Sequence, residues 1–111
     1  MDLYLEIQDK LQLLNTAITE IKRRGREYAE TEANYRIKLA EKILRERAEG
    51  QPVTIISDIC KGDKEIAKLK LERDIAETLY KSVFEAINSY KLNIKILENQ
   101  LEREYGQTKR N

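Results

Sequence analysis

The chain has 111 residues, enough for one small domain, and 37% of them are charged. Because 21 Lys and Arg stand against 20 Asp and Glu, the net charge is only +1, which describes interspersed charge on solvated helix faces and excludes a polyelectrolyte tail. Histidine is absent and Cys60 stands alone, which excludes zinc sites built on His or several Cys, Cys–His and Ser–His–Asp catalysis, and an intrachain disulfide.

The chain has no tryptophan and a low mean hydropathy, so it lacks the apolar residues for a thick core. It has enough for a narrow seam between helices, which needs fewer apolar residues per turn. A lone thiol suits a reducing interior. The opening Met1-Asp2-Leu3-Tyr4-Leu5-Glu6 carries acids where a signal peptide is basic and then apolar. No apolar run reaches the length that spans a bilayer. The expectation is a soluble, cytoplasmic protein with no cofactor and no metal.

In chain order, a first helix is expected over about residues 3–48. Its seam is Ile7, Leu11, Leu14, Ile18, Ile21, Gly25, Tyr28, Glu32, Tyr35 and Leu39, with steps alternating four and three as in a heptad repeat. Two members are odd: Gly25, which costs about 1 kcal/mol relative to alanine inside a helix, and Glu32, a carboxylate in an apolar row. Beyond Gly25 a second stripe runs through Ala29, Ala33, Ile37, Ala40 and Leu44. Its small side chains let another backbone come close, which makes it the candidate oligomer face.

The connector over 49–62 holds the single proline and the single cysteine. Val53, Ile55, Ile56 and Ile59 fit a helix of two turns, opened by Thr54 after Pro52 and closed by Gly62. Such a piece either folds back over the alanine stripe or offers those four residues to a partner. Asp63 is a good N-cap for a second long helix over about 63–105, with Glu65 facing the helix dipole. The second seam is Ile66, Leu69, Arg73, Ala76, Tyr80, Val83, Ile87, Tyr90, Ile94, Leu97 and Leu101, with Leu79, Phe84 and Ala86 widening it. Arg73 is its odd member. Gly106 and the polar stretch 107–111 are expected as a frayed tail.

Equal helices joined by a short link predict an all-α, antiparallel two-helix hairpin, coiled-coil-like, with a short helical turn at its tip, self-associating into a dimeric bundle. Folding the chain at the middle of its connector puts Gly25 near Ile87 and Glu32 near Tyr80. Glu32 and Arg73 are then either register devices or long side chains that reach the edge of the seam.

The local charge anomaly is Lys22-Arg23-Arg24-Gly25-Arg26. With Arg36, Lys38, Lys42, Arg45 and Arg47 it has the makings of a phosphate-tracking surface, and Tyr28 and Tyr35 offer faces for base stacking. Glu27, Glu30, Glu41 and Glu46 interleave with it, and both tyrosines lie in the seam, so a solvated face is the simpler account. The stretch 56–60 before Gly62 has the outline of a helix-turn-helix, but the spacing is poor and the following helix is too long. Cys60 has no base in view and reads as a small buried hydrophobe. Carboxylate pairs such as Glu72 with Asp74 and Glu98 with Glu102 are helix-surface charges, and no catalytic site is expected.

Several stretches together resemble small, uncharacterised helical proteins of temperate phages of Gram-positive bacteria, encoded near recombination and replication functions. They are Arg24-Gly25-Arg26-Glu27-Tyr28-Ala29-Glu30, Tyr35-Arg36-Ile37-Lys38-Leu39-Ala40, Ala48-Glu49-Gly50-Gln51-Pro52-Val53-Thr54, Lys61-Gly62-Asp63-Lys64-Glu65-Ile66-Ala67, and Glu85-Ala86-Ile87-Asn88 before Tyr90-Lys91-Leu92. The resemblance spans roughly residues 20 to 105, implies a phage origin and carries over no site residue. The leading expectation is a non-enzymatic phage interaction protein that binds a protein partner through its tip or its long helical face. The alternatives are a nucleic-acid-binding accessory of recombination or replication, and an inhibitor of a host defence system or enzyme.

Overall fold

A computed structural model of the chain describes the backbone of residues 2–110 and the side chains of residues 2–106. The order of elements is α1 (Leu3–Ala48), α2 (Val53–Gly62) and α3 (Lys64–Arg110). The expected all-α hairpin is the observed fold. No helix among the described residues is long and apolar enough to cross a membrane.

The chain divides into two compact units, one formed by Met1–Arg23 with Lys81–Asn111 and the other by Arg24–Tyr80. In the first, Ile7 and Ala17 from α1 and Ile87 and Ile94 from α3 are buried. Ala17, and not the expected Ile18, occupies the seam: Ile18 stays 38% exposed. An α-helix turns every 3.6 residues, so a strict 3.5-residue repeat drifts off a straight seam and the neighbouring position takes its place.

In the second unit the antiparallel register is fixed by named contacts. Glu32 faces Arg73 and Lys42 faces Asp63, so ten residues forward on α1 match ten residues back on α3. Gly25 faces Tyr80, whose ring also packs on Tyr28 with centroids 6.0 Å apart. Both expected pairings were therefore displaced by one heptad, since Gly25 meets Tyr80 and not Ile87, and Glu32 meets Arg73 and not Tyr80. The physical reason lies at the connector. The end of α1 runs past the start of α3, and α2 packs where the two helices meet, its Ile56 and Cys60 clustering with Ile66 of α3 and with Tyr35, Leu39 and Ile43 of α1.

Local chemistry sets the helix ends. Gly50 has φ of +82°, and α1 closes on it with Gly50 N–H donating to the Arg47 carbonyl and Gln51 N–H to the Glu46 carbonyl, both at 3.0 Å. α2 begins at Val53, one residue before the expected Thr54, because Pro52 already holds the extended N-cap geometry and its carbonyl accepts from Ile55 N–H at 3.1 Å. It has ten residues where two turns were expected. Asp63 is the junction: its N–H donates to the Cys60 carbonyl at 3.2 Å, and its Oδ1 accepts from Ile66 N–H at 3.0 Å, as an N-cap should. α3 does not stop at residue 105; it passes through Gly106 to Arg110, and the expectations for the side chains of 107–111 fall outside the described residues.

The two structurally informative glycines have opposite roles. A Cβ on Gly25 would rest 3.4 Å from the Tyr80 ring, an ordinary contact, so Gly25→Ala is expected to stabilise the hairpin by up to about 1 kcal/mol. Gly50→Ala meets no atom but forces an L side chain into the left-handed region, and is expected to cost about 1–2 kcal/mol. Urea denaturation followed by circular dichroism separates the two signs.

Candidate functional site

Two charged networks and one groove define the second unit. The first network lies in the seam. Arg73 Nη1 donates to Glu32 Oε2 at 2.8 Å, Arg73 Nε donates to Asp74 Oδ1 at 2.8 Å, and its guanidinium sits 4.9 Å from the centre of the Tyr35 ring. Arg36 Nε donates to the other Glu32 oxygen, and Lys70 Nζ donates to Asp74 at 3.2 Å. The hydrogen bond from Arg73, then that from Arg36, holds Glu32 below the usual carboxylate range. Asp74 is lowered by its bond from Lys70 and, less, from Arg73. Arg73 is raised, chiefly by its bond to Glu32. Neither odd seam residue simply reaches the edge; each is the other's partner.

The second network ties α1 to the α2–α3 junction. Lys42 Nζ lies 2.9 Å from Glu46, a buried carboxylate, and 3.9 Å from Asp63, while Lys38 reaches Glu65 at 3.3 Å. The bond to Glu46 raises Lys42 above its ordinary value. Asp63 is lowered, first by the Ile66 N–H it caps and then by nearby Lys42.

The groove, about 760 Å³, opens between the end of α1, α2 and the start of α3. Tyr35, Leu39, Ile43, Ile56 and Ile66 line its floor, and Val53 and Leu71 line it while remaining 71% and 59% exposed. Arg47, Lys61, Lys70 and Asp74 are the charged residues of the lining. Among the described residues no three His, Cys, Asp or Glu side chains come together as a metal would need.

The expected site residues are redistributed by this geometry. Of the four tip residues, Val53 and Ile55 are exposed and Ile59 half-buried, but Ile56 is 5% exposed and belongs to the core. A helix presents only one face to solvent, and α2 turns Ile56 and Cys60 inward, so Ile56 lines the groove from the core side while Val53 stands exposed beside it. The alanine stripe is not covered by α2, which packs on Tyr35, Leu39 and Ile43. Ala29, Ala33, Ile37, Ala40 and Leu44 are all exposed. The basic cluster is divided between the units: Lys22 is exposed and Arg23 pairs with Glu20 in the first, while Arg24 pairs with Glu27 and Arg26 is exposed in the second. The sequence reading missed Leu71 and Lys61 as groove residues. The periodicity put Leu71 outside the α3 seam, and only the placement of α2 makes that side of α3 a wall.

No protein-family model, curated protein or solved structure matches the chain.

Two measurements test this description. Ile56→Ala removes core volume and is expected to cost about 2–5 kcal/mol, whereas Val53→Ala stays within about 0.5 kcal/mol of the parent, both read by urea denaturation. The pH dependence follows from the lowered carboxylates. Their folded-state values lie below the unfolded ones, so Glu32, Asp63 and Asp74 contribute fully above the ordinary carboxylate range and lose that contribution as pH falls through the lowered values. The urea midpoint is expected to be level from neutral pH down to about 5 and to drop below about 4.

Proposed function

We propose that the protein is a non-enzymatic interaction module, a helical hairpin that receives a protein partner in the groove at its tip. The observation that carries this reading is a groove with an apolar floor between three helices, with Val53 and Leu71 mostly exposed beside it. Exposed apolar surface gathered in a concavity and rimmed by polar residues is the usual form of a partner site. An inhibitor of a host enzyme is the same act with a particular partner, and the phage origin implied by the sequence resemblance indicates where such partners are to be sought. Self-association through Ala29, Ala33, Ile37, Ala40 and Leu44 is part of the proposal, since that stripe is exposed and has no cover among the described residues. The nucleic-acid alternative has no comparable observation in its favour, because Arg23 and Arg24 are engaged by carboxylates of their own helix.

The test is selection of a random peptide library on the immobilised full-length chain, with Val53→Asp and Leu71→Asp as counter-targets. Both positions are exposed, so circular dichroism is expected to be unchanged in either variant. Enriched peptides that bind the parent and lose both variants support the groove. Failure to enrich, or equal binding to parent and variants, rejects it.

A further inference from the structure

We infer that the partner element taken by this groove is an acidic amphipathic helix. The inference rests on the groove reading and adds the chemistry of what fills it.

Charge is the first argument. Three cations and one carboxylate line the groove: Arg47, Lys61, Lys70 and Asp74. Lys70 and Asp74 neutralise one another at 3.2 Å, and Asp74 is also held by Arg73 at 2.8 Å. Arg47 and Lys61 have no carboxylate partner among the described residues, and both are exposed. They come from the last turn of α1 and the last turn of α2. The groove thus carries uncompensated positive charge at a rim supplied by two helices, above an aliphatic floor. Long basic side chains place their stems along apolar surface and their heads in water, which suits carboxylates standing at the edge of a docked element.

Shape is the second argument. Val53 and Leu71 are too exposed for the groove to enclose a small amphiphile, which typically requires burial of most of the ligand surface. A strand needs an open sheet edge to pair with, and among the described residues there is none. An amphipathic helix satisfies its own backbone, lays apolar residues spaced i, i+3, i+4 and i+7 on a floor of this kind, and leaves its flanks for rim contacts. Nucleic acid would use the cations but has no use for Leu39, Ile43 and Ile56. Apolar floor and basic rim together select a helix with a leucine-type face and acidic flanks.

The experiment is fluorescence anisotropy of labelled peptides titrated with the full chain. One peptide of about 18 residues, or five turns, carries Leu on one face and Glu on its flanks; a second has Lys for every Glu; a third scrambles the first. The acidic amphipathic peptide is expected to bind at least about tenfold more tightly than the other two, and to weaken as salt rises. Arg47→Glu with Lys61→Glu is expected to reverse the preference toward the Lys peptide, and the milder Arg47→Gln with Lys61→Gln to abolish it. Val53→Asp is expected to weaken both peptides. Equal binding of the acidic and basic peptides, with no effect of either rim pair, overturns the inference yet leaves the groove reading intact if Val53→Asp still weakens them. Library-selected peptides that need Val53 but carry no acidic flank do the same. If a concentration-dependent dimer in sedimentation is dissociated by Val53→Asp and no peptide competes with it, a second copy fills the groove and the acidic-helix inference is rejected. Retention of peptide binding by Val53→Asp rejects both.

Discussion

One ion pair decides which of several similar hairpins this chain forms. A seam built on a heptad repeat presents nearly the same apolar rows when one helix slides by seven residues, so hydrophobic burial hardly separates the alternatives. The charges separate them. In the observed register Arg73 meets Glu32 at 2.8 Å and rests over Tyr35. Slid by one heptad, Arg73 would lie against Leu39 and Glu32 against Tyr80, leaving two partly desolvated charges without each other. An ion pair of this kind adds little net stability over an apolar pair, but leaving one member unpaired is costly, which is what a register device requires.

The register then creates the groove. Because Asp63 sits beside Lys42, the last turns of α1 extend past the start of α3. α2 lies across the junction, with Ile56 and Cys60 clustered with Ile66 of α3 and with Ile43, Leu39 and Tyr35 of α1. Asp63 makes this possible by ending one helix and capping the next within a single residue. Three helices meeting at an overhang do not close fully, and the open remainder is the apolar floor with Arg47 and Lys61 at its rim.

Much of this was legible from the residues, and the failures share a cause. The α3 seam places Ile66, Ala76, Ile87 and Ile94 inside, where they are buried, and Asp63 is an N-cap as its side chain suggests. Periodicity is a local property and reads well over long helices. Register is not local, and a heptad pattern is degenerate under a seven-residue slide. The clue was the pair of odd seam members, Glu32 and Arg73, whose opposite charges match only in one register. Nor could periodicity choose between Ile55 and Ile56, because which side of a ten-residue helix faces inward depends on what it packs against. The same dependence hid Leu71 and Lys61, which become groove residues only through the placement of α2.

A narrow seam leaves much apolar surface in water. Among the described residues no large side chain is fully buried, while Val53, Leu71, Ile75, Ile37 and Leu44 are each more than half exposed. A small domain with a narrow seam retains only a modest excess of burial over conformational entropy. Any element that covers the groove binds the folded hairpin and not the unfolded chain, and so stabilises it in proportion to its occupancy. The apolar residues withheld from the seam are therefore those whose covering would add to the stability of the fold. The seam supplies specificity of register through Glu32 and Arg73, while the groove that this register opens keeps part of the apolar surface out of it.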